Sequence, residues 1–137
     1  MVIDSEKIVD DLLVIHGDNL FDFNLQELVN FFRLKKSTVV VAQKLSDKER
    51  IKKLGALGID KSNRVIEFVE KPKDPGNMLA STGVYIYPID VIEELRNYIR
   101  EGGNKEGSGF FLEWLHKRRE VYAFLVKGKW YDIGNPE

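Results

Sequence analysis

The sequence predicts an α/β fold with a mixed, mostly parallel sheet. Short runs of aliphatic and β-branched residues, which are typical of buried strands, recur along the 137 residues. Stretches with an apolar stripe at helical spacing stand between several of these runs, and the initial order strand, helix, strand is typical of a right-handed parallel crossover. The length is close to the commonest size of one domain, and the chain contains no repeat or linker. We therefore expect one domain that spans residues 1–137.

The first third of the chain predicts two strands around a helix. "DLLVIHG", residues 11–17, is a short aliphatic run that ends in glycine, as a strand buried on both faces does. Residues 24–36 predict a helix with Asn24 as its N-cap, Glu27 three positions later as in a capping box, and cations in the last turn. "STVVVAQ", residues 37–43, is rich in β-branched residues and predicts the next strand.

Strands and helices continue to alternate along the rest of the chain. The polar segment 45–53 is expected at the surface, and the cluster "DKSN" predicts a turn between two strands. "KPKDPGN" predicts a loop because its two prolines cannot donate to a sheet, and the paired Gly102 and Gly103 predict the end of a helix. The expected strands cover residues 54–60, 64–72, 79–88, 121–128 and 130–134, and the expected helices cover residues 89–103 and 109–120.

Composition and charge exclude several classes of function. A net charge of -1 gives no general electrostatic reason to expect a nucleic acid or an anionic membrane as partner. The absence of cysteine excludes a disulfide framework and a thiolate metal site. The first residues are acidic where a signal peptide needs a basic start, and no apolar stretch is long enough to span a bilayer. We therefore expect a cytoplasmic protein that binds neither nucleic acid nor a membrane.

Two features that often carry function are interpreted here as structural. His16 lies in the first expected strand, where a packed neutral imidazole is commoner than a metal ligand. The basic run "HKRR", which begins at His116, is expected to be a solvated helix face, because no aromatic residues alternate with the cations as they do in nucleic-acid sites.

Two aspartates follow predicted strands in the same way. Asp18 comes directly after Gly17 at the end of the first strand, and Asp132 ends an aromatic run just before Gly134. Ligands in open α/β sheets bind beyond the carboxyl ends of the strands. Two carboxylates at one sheet edge could share a hard cation, with Mg²⁺ the natural one beside a polyphosphate. For each aspartate taken alone, an ordinary loop residue is the favoured interpretation.

Two further places in the chain could contact a ligand. Glu70 and Lys71 leave a strand just before Pro72. Adjacent strand residues point to opposite faces, so this pair could bracket a ligand only if the strand bends there. Taken alone, the motif favours a solvated strand end. Gly83 interrupts an otherwise aromatic and branched strand, which indicates either a bulge or the close approach of another group.

The order of these motifs resembles that of the sugar-phosphate nucleotidylyltransferases, which join a nucleoside triphosphate to a sugar 1-phosphate. "HGDNLFDFNLQELVNFF", "LGALGID", "RVIEFVEKPKDP", "ASTGVYIYP" and "WYDIGNPE" follow one another as the corresponding segments do in that family. The resemblance spans nearly all of the chain, and the short motifs "GDN" and "TGVY" are similar to those of the glucose-1-phosphate thymidylyltransferase branch. It implies the Rossmann-like fold of the nucleotide-diphospho-sugar transferases.

The resemblance also implies which residues contact the metal and the sugar phosphate. Asp18 and Asp132 match the family's two metal-binding aspartates, which hold Mg²⁺ against the phosphates. Lys71 matches the lysine that holds the sugar phosphate. These three residues form the implied catalytic set, with Mg²⁺ as the cofactor. The implied substrates are a nucleoside triphosphate and a sugar 1-phosphate.

Three other residues are implied to bind the sugar. Gly55 matches a glycine whose backbone meets the sugar, Glu70 a residue that accepts hydrogen bonds from its hydroxyls, and Gly83 the glycine beside the pocket. Leu54 departs from the aromatic residue that often precedes the first glycine, and residues 81–82 also differ from the commonest ones.

By the same resemblance, an oxygen of the sugar phosphate attacks the α-phosphorus of the triphosphate in line and expels pyrophosphate. Such chemistry depends on positioning, a metal and cations rather than on a protein nucleophile. Family members begin with a strand and a glycine-rich loop that hold the triphosphate, and the sequence contains no counterpart of them. We therefore expect a sheet that is incomplete at the N-terminus, and a chain that corresponds to the C-terminal portion of the domain.

Three hypotheses about function follow from this expectation. The first is an enzyme portion that is inactive alone and associates with another copy or with a complementary N-terminal half. The alternative is a non-catalytic module that binds a sugar nucleotide or regulates another protein. A purely structural α/β domain is the third.

Overall fold

A computed structural model describes most of the chain and contains eight strands and four helices in the part that it describes. The described residues are 11–15, 19–21, 24–45, 47–76, 79–103, 108–126 and 130–132. The strands are β1 Leu12–Ile15, β2 Asn19–Phe21, β3 Thr38–Gln43, β4 Gly55–Ile59, β5 Val65–Glu70, β6 Leu79–Tyr87, β7 Val121–Leu125 and β8 Trp130–Asp132. The helices are α1 Leu25–Lys35, α2 Lys48–Ile51, α3 Ile89–Arg100 and α4 Ser108–Leu115.

Six strands form one mixed sheet, as predicted, but the expectation that it is mostly parallel is wrong, because in the described residues only β3 and β7 pair in parallel. Its order is β5-β4-β6-β3-β7, and β1 also pairs with β6. Strand β6 is antiparallel to β1, β3 and β4, β5 is antiparallel to β4, and β7 is parallel to β3. Strands β1, β3, β4 and β7 therefore share one direction, and β5 and β6 run the opposite way. The predicted crossover from β1 through α1 to β3 does join parallel strands, but β6 lies between them.

The start of α1 has the predicted cap. The Asn24 side chain accepts a hydrogen bond from the Glu27 amide at 3.1 Å, which satisfies one of the free N–H groups of the first turn. The helix ends at Lys36, whose left-handed backbone (φ 53°) lets its N–H donate to the Phe32 carbonyl at 2.8 Å.

None of the helices in the described ranges combines the length and the apolar character that a membrane crossing requires.

Helices cover both faces of the sheet. Side chains of a strand alternate between its faces, and successive residues of β3 accordingly belong to different hydrophobic clusters. One cluster packs α1 on the sheet and contains Leu28, Phe32, Val39, Val41, Val84 and Ile86. The other packs α3 and α4 on the opposite face and includes Val40, Leu57, Tyr85, Val91, Leu95, Leu112 and Leu115. This helix, sheet, helix layering confirms the predicted α/β class.

Strand β6 contains a bulge at Gly83. Val40 of β3 lies opposite Tyr85, yet Ala42 lies opposite Ser81, so β6 uses two more residues than β3 over this interval. Gly83 has φ 87°, a left-handed conformation that glycine adopts without the steric cost of a side chain. Of the two interpretations of this glycine, the structure shows the bulge.

Candidate functional site

The bulge of β6 marks a gap between two neighbouring strands. On one edge of β6, the first two residues pair with β4 and the last four pair with β1. Residues 81–83 lie between these pairings and define what we call the β1–β4 gap. Strand β1 ends at this gap, with Ile15 opposite Val84, and β4 begins beside it at Gly55. The C-terminal end of β1 and the N-terminal end of β4 therefore lie next to each other on the same edge of β6.

The predicted metal residues belong to the chain that leaves β1 and to the β2–β8 ribbon. Asp18 lies outside the described residues. Its neighbour Asn19 pairs with Asp132 across the antiparallel ribbon. Directly paired residues have Cα atoms about 4.5–5.5 Å apart, so the backbone brings Asp132 next to the residue that follows Asp18. The described part of the chain holds no cluster of three or more histidine, cysteine, aspartate or glutamate side chains.

The chain bends where Glu70 and Lys71 leave β5. Such a bend is required if both side chains are to contact the same ligand. Glu70 is the last residue of β5 and lies opposite Gly55. Lys71 has a left-handed backbone with φ 52°, and its N–H donates to the Leu54 carbonyl at 2.7 Å. Because of this turn, the two side chains need not point to opposite faces. Glu70 is half-buried and Lys71 is exposed.

Gly55 fits closely between two side chains of β5. A Cβ atom at this position would lie 2.8 Å from Phe68 Cζ and 3.3 Å from Glu70 Oε1. The first distance is shorter than real Cβ contacts, so the buried Phe68 ring requires glycine here. The backbone of Gly55 therefore lies directly beside the Glu70 carboxylate. Leu54, which precedes it, is half-buried against the core residues Ile51 and Ala56.

Helix α4 contributes two residues that the sequence analysis did not single out. The Glu70 amide donates to Oε2 of Glu113 at 3.4 Å, and Gly109 lies against the Glu70 carboxylate. Their spacing of four residues places Gly109 and Glu113 on one helix face, which is visible in the sequence. That this face packs on β5 is a tertiary contact, which no local pattern indicates.

The two arginines of the basic run that follows α4 form contacts with other residues of the chain. The Arg118 guanidinium lies 4.1 Å from the centre of the Trp114 ring and donates to the Trp114 carbonyl at 3.0 Å. Arg119 forms ion pairs with Asp90 and Glu94 of α3. These contacts favour a structural role for the two arginines.

His116 is expected to make stability depend on pH. Burial lowers its pKa from the usual 6.5, and Lys117 lowers it further, while Glu113 and Glu67 partly offset the shift. The unfolded chain then binds this proton more tightly than the folded chain, so stability falls as pH drops through about 6.5. We expect His116→Gln to reduce the loss of melting temperature between about pH 7.5 and 5.5. Thermal unfolding across this range tests it, and an unchanged pH dependence would contradict it.

Comparison with known proteins assigns the chain to a family. The model of the family described as nucleotidyl transferase matches residues 1–137. The chain belongs to this nucleotidyl transferase family. The predicted sugar-phosphate nucleotidylyltransferase family is confirmed by the names of the relatives that follow.

Relatives with curated names are glucose-1-phosphate adenylyltransferases. The one from Clostridium acetobutylicum is 29% identical over 129 residues, which are 90% of this chain and 33% of the relative. The one from Thermosipho melanesiensis is 30% identical over 130 residues, which are 91% of this chain and 31% of the relative. This nucleotidyl transferase chain therefore spans about a third of the length of the curated relatives it matches.

Solved structures share the fold. A Bacillus anthracis protein named as a glucose-1-phosphate thymidylyltransferase, in complex with a sucrose, has a TM-score of 0.69 and 30% identity, covering 91% of this chain and 50% of that one. A UDP-glucose pyrophosphorylase complexed with UDP-glucose has a TM-score of 0.74 at 24% identity, covering 91% and 51%. At that identity the second likeness shows the fold alone. The predicted Rossmann-like fold is confirmed.

Proposed function

We propose that this chain is the sugar-phosphate-binding and metal-binding part of a sugar-1-phosphate nucleotidylyltransferase. The enzyme would transfer a nucleoside monophosphate from a nucleoside triphosphate to a sugar 1-phosphate and release pyrophosphate. The observation that carries the proposal is the bend at Lys71, which lets Glu70 and Lys71 face one ligand at the end of β5. Membership of the nucleotidyl transferase family supports it.

Glu70 and Lys71 have complementary chemistry for the two ends of a sugar 1-phosphate. The Glu70 carboxylate accepts hydrogen bonds from sugar hydroxyls, and the Lys71 ammonium pairs with the phosphate. Charge-assisted hydrogen bonds of both kinds are roughly twice as strong as neutral ones. Gly55 adds a backbone contact to the sugar, because it lies directly opposite Glu70 on the neighbouring strand. We place Gly83 at the border of the same pocket, because it lies in the β1–β4 gap beside the start of β4.

Asp18 and Asp132 would hold Mg²⁺ beside this pocket. Carboxylate oxygens are the hard donors that Mg²⁺ prefers, and the pairing of Asn19 with Asp132 supports a shared site. Bound there, Mg²⁺ supplies neutralisation of the phosphate charge that develops during transfer.

The proposed reaction needs no protein nucleophile. A phosphate oxygen of the sugar 1-phosphate attacks the α-phosphorus, a new P–O bond forms, and the bond to the departing pyrophosphate breaks with its electron pair. Lys71 holds the attacking phosphate in line, and Glu70 and Gly55 fix the sugar. Correct positioning of two bound reactants can supply about 7–11 kcal/mol of the barrier reduction.

Release of pyrophosphate tests the proposal. The chain is assayed with Mg²⁺, glucose 1-phosphate and a panel of nucleoside triphosphates, alone and with a polypeptide that supplies the N-terminal half of the Bacillus anthracis relative. We expect release only when both substrates are present, and only with the added half. Absence of release when both polypeptides are folded and associated would contradict the enzyme and favour the non-catalytic sugar-nucleotide module.

A further inference from the structure

The Glu70 carboxylate lies in a narrow slot between two glycines. On the β4 side, a Cβ atom at Gly55 would lie 3.3 Å from Glu70 Oε1. On the α4 side, a Cβ atom at Gly109 would overlap the Glu70 carboxyl carbon and both of its oxygens, all closer than 3.0 Å. We call the space between Gly55 and Gly109 the glycine slot. The carboxylate occupies space that any side chain at residue 109 would take.

Helix α4 also contacts the backbone of Glu70. Oε2 of Glu113 accepts a hydrogen bond from the Glu70 amide at 3.4 Å. Gly109 and Glu113 lie four residues apart and therefore on the same face of the helix. Leu112 and Leu115 of the same helix are fully buried in the core and hold α4 in place. The helix is thus a rigid support for both the backbone and the carboxylate of Glu70.

We infer that Gly109 and Glu113 are positioning residues that set the orientation of Glu70, and through it of Lys71, for the sugar 1-phosphate. The inference rests on the proposed function, because it uses Glu70 and Lys71 as the sugar-phosphate ligands. A carboxylate held in place before binding loses less conformational freedom when the sugar arrives. Misplacement of a positioned group by about 1 Å can cost roughly 100-fold in rate.

Gly109→Ala separates positioning from folding. The new methyl group collides with the movable end of the Glu70 side chain, so the carboxylate moves out of the slot while the helix stays. Alanine also favours the helix more than glycine does. We therefore expect an unchanged or raised melting temperature together with weaker sugar-phosphate binding. A binding loss with this signature cannot come from unfolding.

The experiment compares Gly109→Ala with Gly58→Ala. Gly58 is a matched control in β4, because a Cβ atom there would lie 3.7 Å from Glu67 Cβ, an ordinary contact. Calorimetric titration with glucose 1-phosphate is expected to show a Kd raised roughly 10- to 100-fold in Gly109→Ala and unchanged in Gly58→Ala. The NMR resonance of the Glu70 carboxyl carbon, recorded without sugar, is expected to shift in the first variant only.

A double-mutant cycle tests whether Gly109 acts through Glu70. Glu70→Ala lowers affinity by itself, and adding Gly109→Ala is expected to lower it no further. Glu113→Ala is expected to weaken binding, and Glu113→Gln, which keeps an acceptor oxygen, is expected to restore most of it.

Four outcomes would overturn the inference or its basis. An unshifted Glu70 resonance in Gly109→Ala, or a full further loss of affinity in the Glu70→Ala background, overturns the positioning role. Wild-type affinity in Glu70→Ala overturns the proposed role of Glu70 and the inference with it. If the unmutated chain binds no glucose 1-phosphate, the proposed function fails, and the carboxyl resonance still decides whether α4 sets the Glu70 side chain.

Discussion

Lys71→Ala is expected to lower kcat/KM for the sugar 1-phosphate by about 10²–10³, the usual cost of removing one charged or hydrogen-bonding group that stabilises the reacting phosphate. The lysine stands directly after β5, where its left-handed backbone turns it away from the strand. The effect should appear in KM for the sugar phosphate and in kcat, while KM for the nucleoside triphosphate stays unchanged. Pyrophosphate release in the presence of the added N-terminal half, measured while each substrate is varied in turn, gives these constants.

Lys73→Ala is the matched control for this variant. Lys73 lies two residues further along the same loop and is exposed, as Lys71 is. Its removal changes net charge equally, so it is expected to leave kcat/KM within about twofold, since an exposed charge acts weakly at a distance. Equal losses in the two variants would mean that general charge, and not a contact at residue 71, attracts the phosphate.

Asp132→Asn is expected to reduce Mg²⁺-dependent turnover by about 100-fold or more, because a neutral amide replaces a charged ligand of the phosphate-bound cation. The substitution nearly preserves side-chain size, and the backbone pairing with Asn19 does not depend on the side chain. A raised Mg²⁺ concentration is expected to restore part of the rate. The measurement is the rate of pyrophosphate release, with the N-terminal half added, as a function of Mg²⁺ concentration.

Asp74→Asn controls for the loss of one negative charge. Asp74 is exposed and accepts a hydrogen bond from the Gly76 amide at 3.3 Å, which an asparagine oxygen can also accept. This variant should keep the wild-type Mg²⁺ dependence. If Asp132→Asn also kept the wild-type half-saturating Mg²⁺ concentration, the metal role of Asp132 would be wrong.

Local signals predicted the secondary structure, and long-range pairing could not be predicted from them. The cap at Asn24 and the helix end at Gly102 depend on neighbouring residues alone, so the sequence contains all the necessary information. Helix α2 and strand β2 were not predicted, because four and three residues are too few to show a helical or a strand period. The insertion of β6 between β1 and β3 was not predicted, because the sequence pattern of a strand does not indicate which other strands it pairs with.

The faces of β5 show why an alternation pattern can fail. Val65 and Phe68 are both buried, whereas Ile66 and Glu67 between them are exposed, so burial does not alternate strictly. The register of the β4–β5 pair shifts between Gly58 and Ile59, which disturbs the alternation on the facing strand. A period-two pattern assumes an unbroken register, and here the register is broken.

The ligand-binding residues of the candidate site could be predicted from the sequence, but the contacts that position them could not. Motif order indicated Glu70 and Lys71, but the bend between them requires a positive φ at a lysine, which sequence patterns rarely indicate. Gly109 could not be linked to Glu70 because 39 positions separate them in the sequence (109 − 70) and only the packing of α4 on β5 brings them together.

A crystal structure of the chain with glucose 1-phosphate and Mg²⁺ tests the central claim most directly. We expect the phosphate within about 3 Å of the Lys71 ammonium, and sugar hydroxyls at hydrogen-bond distance from the Glu70 carboxylate, beside Gly55. A sugar phosphate bound away from the end of β5, with Glu70 and Lys71 facing solvent, would contradict it.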